Sequence, residues 1–158
     1  DSFTKKVIFA PHEVNDKHVK QIEQLLVKKS IRYTDIQDDK SDFEDYQVLI
    51  LDTIGHLTNA YQYGDLAYVG GGFSGSLHNI LEPAAFGLPI LFGPKHVKFP
   101  EADIFIQEGF AFEIESGHEL VEKFKYVEKD ISSIKNKLLI FMEDQTGIAE
   151  KIMVQLLS

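Results

Sequence analysis

The sequence predicts a doubly wound α/β domain, in which a six-stranded parallel sheet carries helices on both faces. Six apolar runs of strand length alternate with segments of helix length along the chain, which is the pattern of a parallel sheet covered by crossover helices. The chain has 158 residues, 44% of them hydrophobic and 26% charged. These values are typical of one globular domain with a buried core, so we expect a single domain over residues 1–158.

The first part of the chain predicts three strands and two helices. Pro11 ends the first apolar run, and side chains from Val14 to Leu26 then recur at three- and four-residue steps, which indicates an amphipathic helix over about 15–29. An acidic, polar surface loop is expected at 37–45. The remaining predicted elements are strands at 7–10, 31–36 and 48–51 and a short helix near 57–63.

The second part continues the alternation. Gly87 stands where a glycine commonly ends a helix. The predicted strands cover 66–69, 89–92 and 111–114, and the predicted helices cover about 79–87, 101–108, 117–129 and 131–157. Ligands of such sheets bind beyond the carboxyl ends of the strands. The candidate site segments are therefore 11–13, 52–56, 70–79 and 93–101.

Composition excludes several classes of function. Lys and Arg number 16 against 25 Asp and Glu, and the net charge of −9 disfavours nucleic acid as a partner. Arg32 is the only arginine, so an anion site must use lysine, histidine or backbone N–H groups. The absence of cysteine excludes disulfides, thiolate catalysis and cysteine-ligated zinc. No membrane span or signal peptide is visible, and the chain opens at Asp1 just before a strand, so we expect a soluble, monomeric domain excised from a longer protein.

A glycine-rich loop at residues 70–76 holds four of the eleven glycines. Between a buried strand and a helix, such a loop lets the backbone approach a phosphate, which the helix N-terminus also attracts. The loop lacks the Gly-Lys-Ser/Thr ending of a P-loop, and a flexible tight turn is the alternative interpretation. The candidate ligand-binding residues are Gly71, Gly72, Phe73, Ser74, Gly75 and Ser76.

A polar segment, His78–Asn79 followed by Glu82–Pro83, comes next. Pro83 must lie in the first helical turn, which puts Glu82 at the helix mouth, where a carboxylate can accept two sugar hydroxyls. His78 can donate to a phosphate. The alternative for Asn79 and Glu82 is a capping box.

Three weaker candidates follow other strands. Gly55 lies in a turn whose backbone can hold a base edge or ribose, and His12 lies at the end of the first strand, where it would face a partner domain. Two lysines and His96 can offset the charge of a phosphate. His96 and Glu101 lack the helical spacing of metal ligands and no third ligand is evident, so no metal site is expected.

Taken together, these motifs resemble the C-terminal half of the 3-deoxy-D-manno-octulosonic acid (Kdo) transferases over about residues 7–115. The motifs that carry the resemblance are DTIG at 52–55, YGDLAYVGGG at 63–72, HNILEPAAFGLP at 78–89, GP at 93–94 and FPE at 99–101. The HNxxEP block, in register with the others, is the specific element.

The resemblance implies the Rossmann-like C-terminal half of a GT-B glycosyltransferase. Such enzymes transfer Kdo from CMP-Kdo to a lipid A precursor in lipopolysaccharide synthesis, with inversion, without an essential metal and without a cofactor besides the donor. By this resemblance the 70–76 loop and the mouth of the 79–87 helix hold the CMP phosphate, and Glu82 contacts the ribose or the donor sugar.

The resemblance also implies what lies elsewhere. The general base and the lipid acceptor site belong to an N-terminal domain that this chain lacks, so the isolated domain is expected to be inactive. The full-length protein would work at the cytoplasmic face of the bacterial inner membrane. The chain departs from the family in having Ala10–Glu13 where many members are arginine-rich, and His56 where many have glutamate. A UDP-sugar transferase or epimerase of the GT-B class, and a non-catalytic Rossmann-like binding domain, are the alternatives.

Overall fold

The computed structural model of the chain describes residues 5–36 and 43–157, with side chains described for 5–36 and 44–145. It forms two compact units, a first unit over Asp1–Ala60 and a second unit over Tyr61–Ser158. Among the described residues, no helix combines the length and the apolar character that crossing a membrane requires.

The first unit is a three-stranded parallel sheet with one substantial helix. Asn15 begins the helix by accepting a hydrogen bond from the His18 N–H, which is the usual role of an N-cap asparagine. The strand order is β1-β3-β2, with Val48 opposite both Val7 and Ser30. The elements are β1 (Val7–Phe9), α1 (Asp16–Leu25), β2 (Ser30–Arg32), β3 (Val48–Ile50) and α2 (Leu57–Ala60), with 3₁₀ turns at Tyr33–Asp35 and Phe43–Asp45.

The second unit is a larger three-stranded parallel sheet with helices. Its strand order is β4-β5-β6, and Ile90 of the central strand lies opposite Ala67 and Ala111. Its elements are a 3₁₀ turn (Tyr61–Tyr63), β4 (Ala67–Val69), α3 (Leu81–Ala85), β5 (Ile90–Phe92), α4 (Pro100–Gln107), β6 (Ala111–Glu113), α5 (Gly117–Glu128) and α6 (Ile131–Leu157).

Each unit has its own hydrophobic core. The core of the first unit is small and centres on Val19, Val48 and Ile50. In the second unit all three residues of β5 are buried, and Phe92 packs in one cluster with residues of α4 and α6 such as Phe105 and Leu138. The loops that follow β4 and β5 are therefore attached to the better packed of the two cores.

The structure confirms the α/β class and the parallel strands but not the single six-stranded sheet. The six strands form two sheets of three. An apolar run marks a strand, but which strand edges pair depends on contacts distant in sequence, and three-residue strands encode little of that choice.

Three predicted elements also differ in extent. The strand expected over 31–36 ends at Arg32, because Thr34 turns to bond with Asp52. The predicted 15–29 helix ends at Leu25, and the predicted 79–87 helix is only Leu81–Ala85. In the predicted acidic loop, residues 37–42 lie outside the described part of the chain.

Candidate functional site

The glycine-rich loop leaves β4 and coils around one carbonyl oxygen. The backbone N–H groups of Ser74, Gly75 and Ser76 each donate to the oxygen of Gly71 at 3.1 Å, and the Ser74 hydroxyl donates to the same oxygen at 3.0 Å. Three backbone N–H groups of the candidate phosphate-binding loop therefore already donate to the protein itself. Phe73, Ser74 and Ser76 are exposed residues and form the outer surface of the loop.

Two of the glycines are required by the path of the backbone. Gly71 has a φ of +85°, and a Cβ there would lie 1.9 Å from the Ser76 oxygen. At Gly72 a Cβ would lie 2.5 Å from the backbone nitrogen of Gly93, and the Gly72 oxygen accepts from the Lys95 N–H at 2.7 Å. The glycines thus allow the 70–76 loop to pack directly against the loop that follows β5.

His78 lies beside the glycine loop. Its N–H donates to the Gly70 oxygen at 3.0 Å, and a Cβ added to Gly70 would lie 3.6 Å from its imidazole. The side chain is exposed. The structure therefore puts a donor-bearing ring next to the loop.

Asn79 and Glu82 are linked, but not as a capping box. Asn79 Oδ1 accepts from the Leu81 N–H at 2.9 Å, and Asn79 Nδ2 donates to Glu82 Oε1 at 3.0 Å. The residue at the N-cap position of α3 is Ile80, which makes no side-chain capping bond. Glu82 therefore accepts from a side chain instead of a backbone N–H, and Asn79 orients its carboxylate.

Tyr61 is a neighbour of this carboxylate that the sequence analysis missed. Burial and, to a smaller extent, the charge of Glu82 raise the pKa of the Tyr61 phenol. Its ring also packs against Phe86, with 6.1 Å between centroids. Tyr61 precedes Glu82 by a strand and a loop, so no spacing in the sequence connects the two.

The first unit holds the two remaining candidates, Gly55 and His12. Gly55 is exposed, with a φ of +92° and no atom within 4 Å of an added Cβ, and His12 is exposed in the turn after Pro11. Next to Gly55, the His56 ring lies 4.6 Å from that of Tyr33.

Asp52, at the end of β3, is engaged within the first unit. It accepts hydrogen bonds from both the N–H and the hydroxyl of Thr34. Burial alone would raise the pKa of Asp52, but hydrogen bonds, led by those from Thr34, together with the charge of Arg32 hold that pKa below its usual range. Asp52 of the DTIG segment thus holds the turn after β2 in place through Thr34.

Two basic side chains are engaged by carboxylates of the chain itself. Arg32 binds both carboxylate oxygens of Glu23, at 2.8 and 2.7 Å, and Asp16 at 2.8 Å. His96, expected near the phosphate, is instead buried, with Nε2 2.8 Å from Glu113 Oε2. Lys95 and Lys98 remain exposed.

No cluster of three or more His, Cys, Asp or Glu side chains that could hold a metal ion occurs among the described residues.

Comparison with known proteins gives sequence relatives and a structural neighbour, although no family model matches the chain. It is 37% identical to a 3-deoxy-D-manno-octulosonic acid transferase of Chlamydophila psittaci over 91 residues, which are 56% of this chain and 20% of that protein. It is 34% identical to the enzyme of the same name from Aquifex aeolicus over 95 residues, 59% of this chain and 26% of that protein. The match therefore spans only a fifth to a quarter of these curated relatives.

One structural neighbour is the C-terminal CMP-Kdo binding domain of WaaA from Acinetobacter baumannii. The two folds agree with a TM-score of 0.72, over 90% of this chain and 89% of that domain, at 20% sequence identity. This likeness shows that the chain has the fold of that domain. The resemblance to Kdo transferases drawn from the motifs is confirmed by the sequence relatives.

Proposed function

We propose that this chain is the donor-binding half of a Kdo transferase, a GT-B glycosyltransferase, and that it binds the sugar nucleotide CMP-Kdo. The observation that carries the proposal is its 34–37% identity to two enzymes of that name. The fold it shares with a CMP-Kdo binding domain supports the same conclusion. No similar observation favours a UDP-sugar enzyme or a non-catalytic domain.

The donor phosphate would lie against the outer surface of the glycine loop. Gly71 accepts from three of the loop's N–H groups and from the Ser74 hydroxyl. The phosphate would therefore meet the exposed residues around them, through the Phe73 N–H, the Ser76 hydroxyl and the His78 ring. Arg32 is committed to two carboxylates, so it would not take part. A histidine and neutral donors can bind a phosphate without an arginine.

Glu82 would accept hydrogen bonds from hydroxyls of the ribose or of the donor sugar. Asn79 occupies Oε1, and within the described residues no protein group donates to Oε2, which leaves one oxygen for a ligand. A charged acceptor held by a neighbouring side chain is pre-oriented, so a ligand hydroxyl loses less entropy on binding to it. Gly75 would supply flexible backbone near the phosphate, and Gly55 and His12 remain our candidates for further donor contacts.

The rest of the reaction would use parts of the enzyme outside this chain. The proposal includes transfer to a lipid A precursor with inversion at the anomeric carbon, without a metal or a cofactor, in lipopolysaccharide synthesis at the cytoplasmic face of the inner membrane. The general base and the acceptor site would belong to the N-terminal half. We therefore expect no Kdo transfer by the 158-residue chain. Transfer by the pure chain would contradict the assignment of the general base and the acceptor site to the N-terminal half.

A calorimetric titration of the chain with CMP, UMP and NAD tests the proposal. We expect CMP to bind, UMP to bind more weakly and NAD not to bind. EDTA should leave CMP affinity unchanged, because the proposed contacts are all side chains and backbone groups. Preference for UMP would support the UDP-sugar alternative, and the absence of any nucleotide binding would support a non-catalytic domain.

A further inference from the structure

The loop from Gly93 to Phe99, between β5 and α4, holds one buried polar side chain, that of His96. Its Lys95, Val97 and Lys98 side chains are exposed, whereas His96 is only 8% exposed. Burying an imidazole is costly unless its polar atoms are satisfied, so an aliphatic side chain would be the cheaper anchor. A histidine at this buried position is therefore expected to make a hydrogen bond, which an aliphatic side chain cannot make.

His96 makes that directional contact with β6. Its Nε2 lies 2.8 Å from Glu113 Oε2, and its ring packs edge-on against Phe92 with 5.2 Å between centroids. Its Nδ1, which is buried and has no hydrogen-bond partner among the described residues, lies 3.4 Å from Asp103 Oδ1 on α4. The imidazole thus lies between a carboxylate on β6 and a carboxylate on α4.

The residue before His96 holds the glycine loop. The Lys95 N–H donates to the Gly72 oxygen at 2.7 Å, and Gly72 and Gly93 pack backbone to backbone. On the other side of the histidine, its carbonyl oxygen accepts from the Phe99 N–H at 2.8 Å, at the start of α4. Contacts therefore run without a gap from Glu113 through His96 and Lys95 to Gly72.

We propose that His96 is a positioning residue for the glycine loop: its bond to Glu113 fixes the 93–99 loop, and the Lys95 N–H transmits that position to the 70–76 loop. The inference rests on the proposed function in one respect, namely that the 70–76 loop receives the donor phosphate. His96 acts through the backbone and does not itself touch the ligand.

Amide hydrogen exchange, followed by NMR on the 158-residue chain without ligand, tests the positioning directly. In His96→Ala we expect exchange at Lys95 and at Ser74–Ser76 to accelerate by about tenfold, because a charge-assisted hydrogen bond restrains the loop. His96→Gln should restore most of the protection, since its amide can donate to Glu113. The control is His118→Ala, at an exposed histidine on α5 that pairs with Glu122, and this change should leave the exchange rates of the loop unaltered.

A parallel titration with CMP separates this inference from the proposed function. We expect His96→Ala to weaken CMP about tenfold, His96→Gln to recover most of that loss, and His118→Ala to match the wild type. If the wild-type chain does not bind CMP, the proposed function fails, while the exchange rates still decide whether His96 positions the loop.

Two results would overturn the inference. One is unchanged exchange at Lys95 and Ser74–Ser76 in a folded His96→Ala chain, and the other is a His96→Gln chain no better protected than His96→Ala. If thermal unfolding shows that His96→Ala does not fold, Glu113→Gln takes its place, because it keeps the volume and weakens the bond. Glu113→Gln should accelerate the same amides about threefold, and wild-type exchange rates there would refute the proposal.

Discussion

Replacing Gly72 by alanine would disturb the contact between the two loops more directly than any other single methyl group. The added Cβ would lie 2.5 Å from the nitrogen of Gly93, 2.7 Å from its oxygen and 2.9 Å from its Cα. These are backbone atoms, which cannot move aside by a rotamer change. The 70–76 and 93–99 loops must therefore separate, by about 0.5 Å to reach even a 3.0 Å contact.

The cost of Gly72→Ala has two parts. Overpacking of this kind costs roughly 1–3 kcal/mol. Separating the loops also weakens the bond from the Lys95 N–H to the Gly72 oxygen, now 2.7 Å long, and a hydrogen bond of this type contributes about 1 kcal/mol. We expect a loss of roughly 2–4 kcal/mol in the free energy of unfolding, which lowers the urea midpoint by about 1–2 M.

Urea unfolding followed by circular dichroism measures this loss, with two glycine controls. At Gly117, the first residue of α5, an added Cβ meets nothing within 4 Å, so alanine should be neutral or stabilising by up to about 1 kcal/mol. At Gly75 the space is equally open but φ is +83°, so alanine should cost only about 1–2 kcal/mol, from backbone strain. A Gly72→Ala chain as stable as the wild type would refute the close packing of the loops.

Four further predictions concern the ionisable side chains of Glu82, Tyr61 and Glu23. Glu82→Gln should reduce donor affinity about ten- to a hundredfold while changing stability by at most about 1 kcal/mol; unchanged donor kinetics in the full-length enzyme would remove Glu82 from the site. Because the charge of Glu82 contributes to the raised pKa of Tyr61, NMR titration of Glu82→Gln should find Tyr61 ionising at lower pH than in the wild type. The same raised pKa favours the neutral phenol in the folded state, so stability should fall as pH rises above about 10, and Tyr61→Phe should lessen that fall in alkaline melting curves. Hydrogen bonds from Arg32 lower the pKa of Glu23. Their stabilisation is therefore present above about pH 4.5 and disappears as the pH falls below that value. Glu23→Gln should cost at most about 1 kcal/mol at pH 7 and should reduce the loss of stability that urea unfolding measures below about pH 4.5.

The sequence predicted whether a segment is a helix or a strand better than it predicted which strands pair. The apolar run ending at Phe92 predicted a strand of a sheet covered on both faces, and all three residues of that strand are buried, as such a sheet requires. The division into two sheets was not predictable, since it depends on which strand edges meet. The early end of β2 was missed for a similar reason: Thr34 is turned by Asp52, eighteen residues away.

The candidate site shows the same division. The 70–76 loop, His78 and Glu82 could be proposed from the sequence because glycine content and a proline-fixed helix start are local signals. Tyr61 was missed, and His96 was assigned to the wrong environment, because their partners Glu82 and Glu113 are set by the fold. A lone histidine between lysines gives no indication of which carboxylate it will meet.

Packing of the backbone is sufficient to explain two glycines of the 70–76 loop. Gly71 and Gly72 are needed where they are even without a ligand, because the backbone of residue 71 meets Ser76 and that of residue 72 meets Gly93. The turn and phosphate interpretations of a glycine-rich segment therefore do not compete here, and glycine content alone favours neither. The evidence for a binding site therefore rests more on Asn79 and Glu82. In a capping box the Glu82 carboxylate would accept from a backbone N–H at the helix start, whereas here it accepts from the exposed Asn79 side chain. The response of donor binding to Glu82→Gln is consequently a sharper test of this site than a change at Gly71 or Gly72, which would disturb the loop whether or not it binds a phosphate.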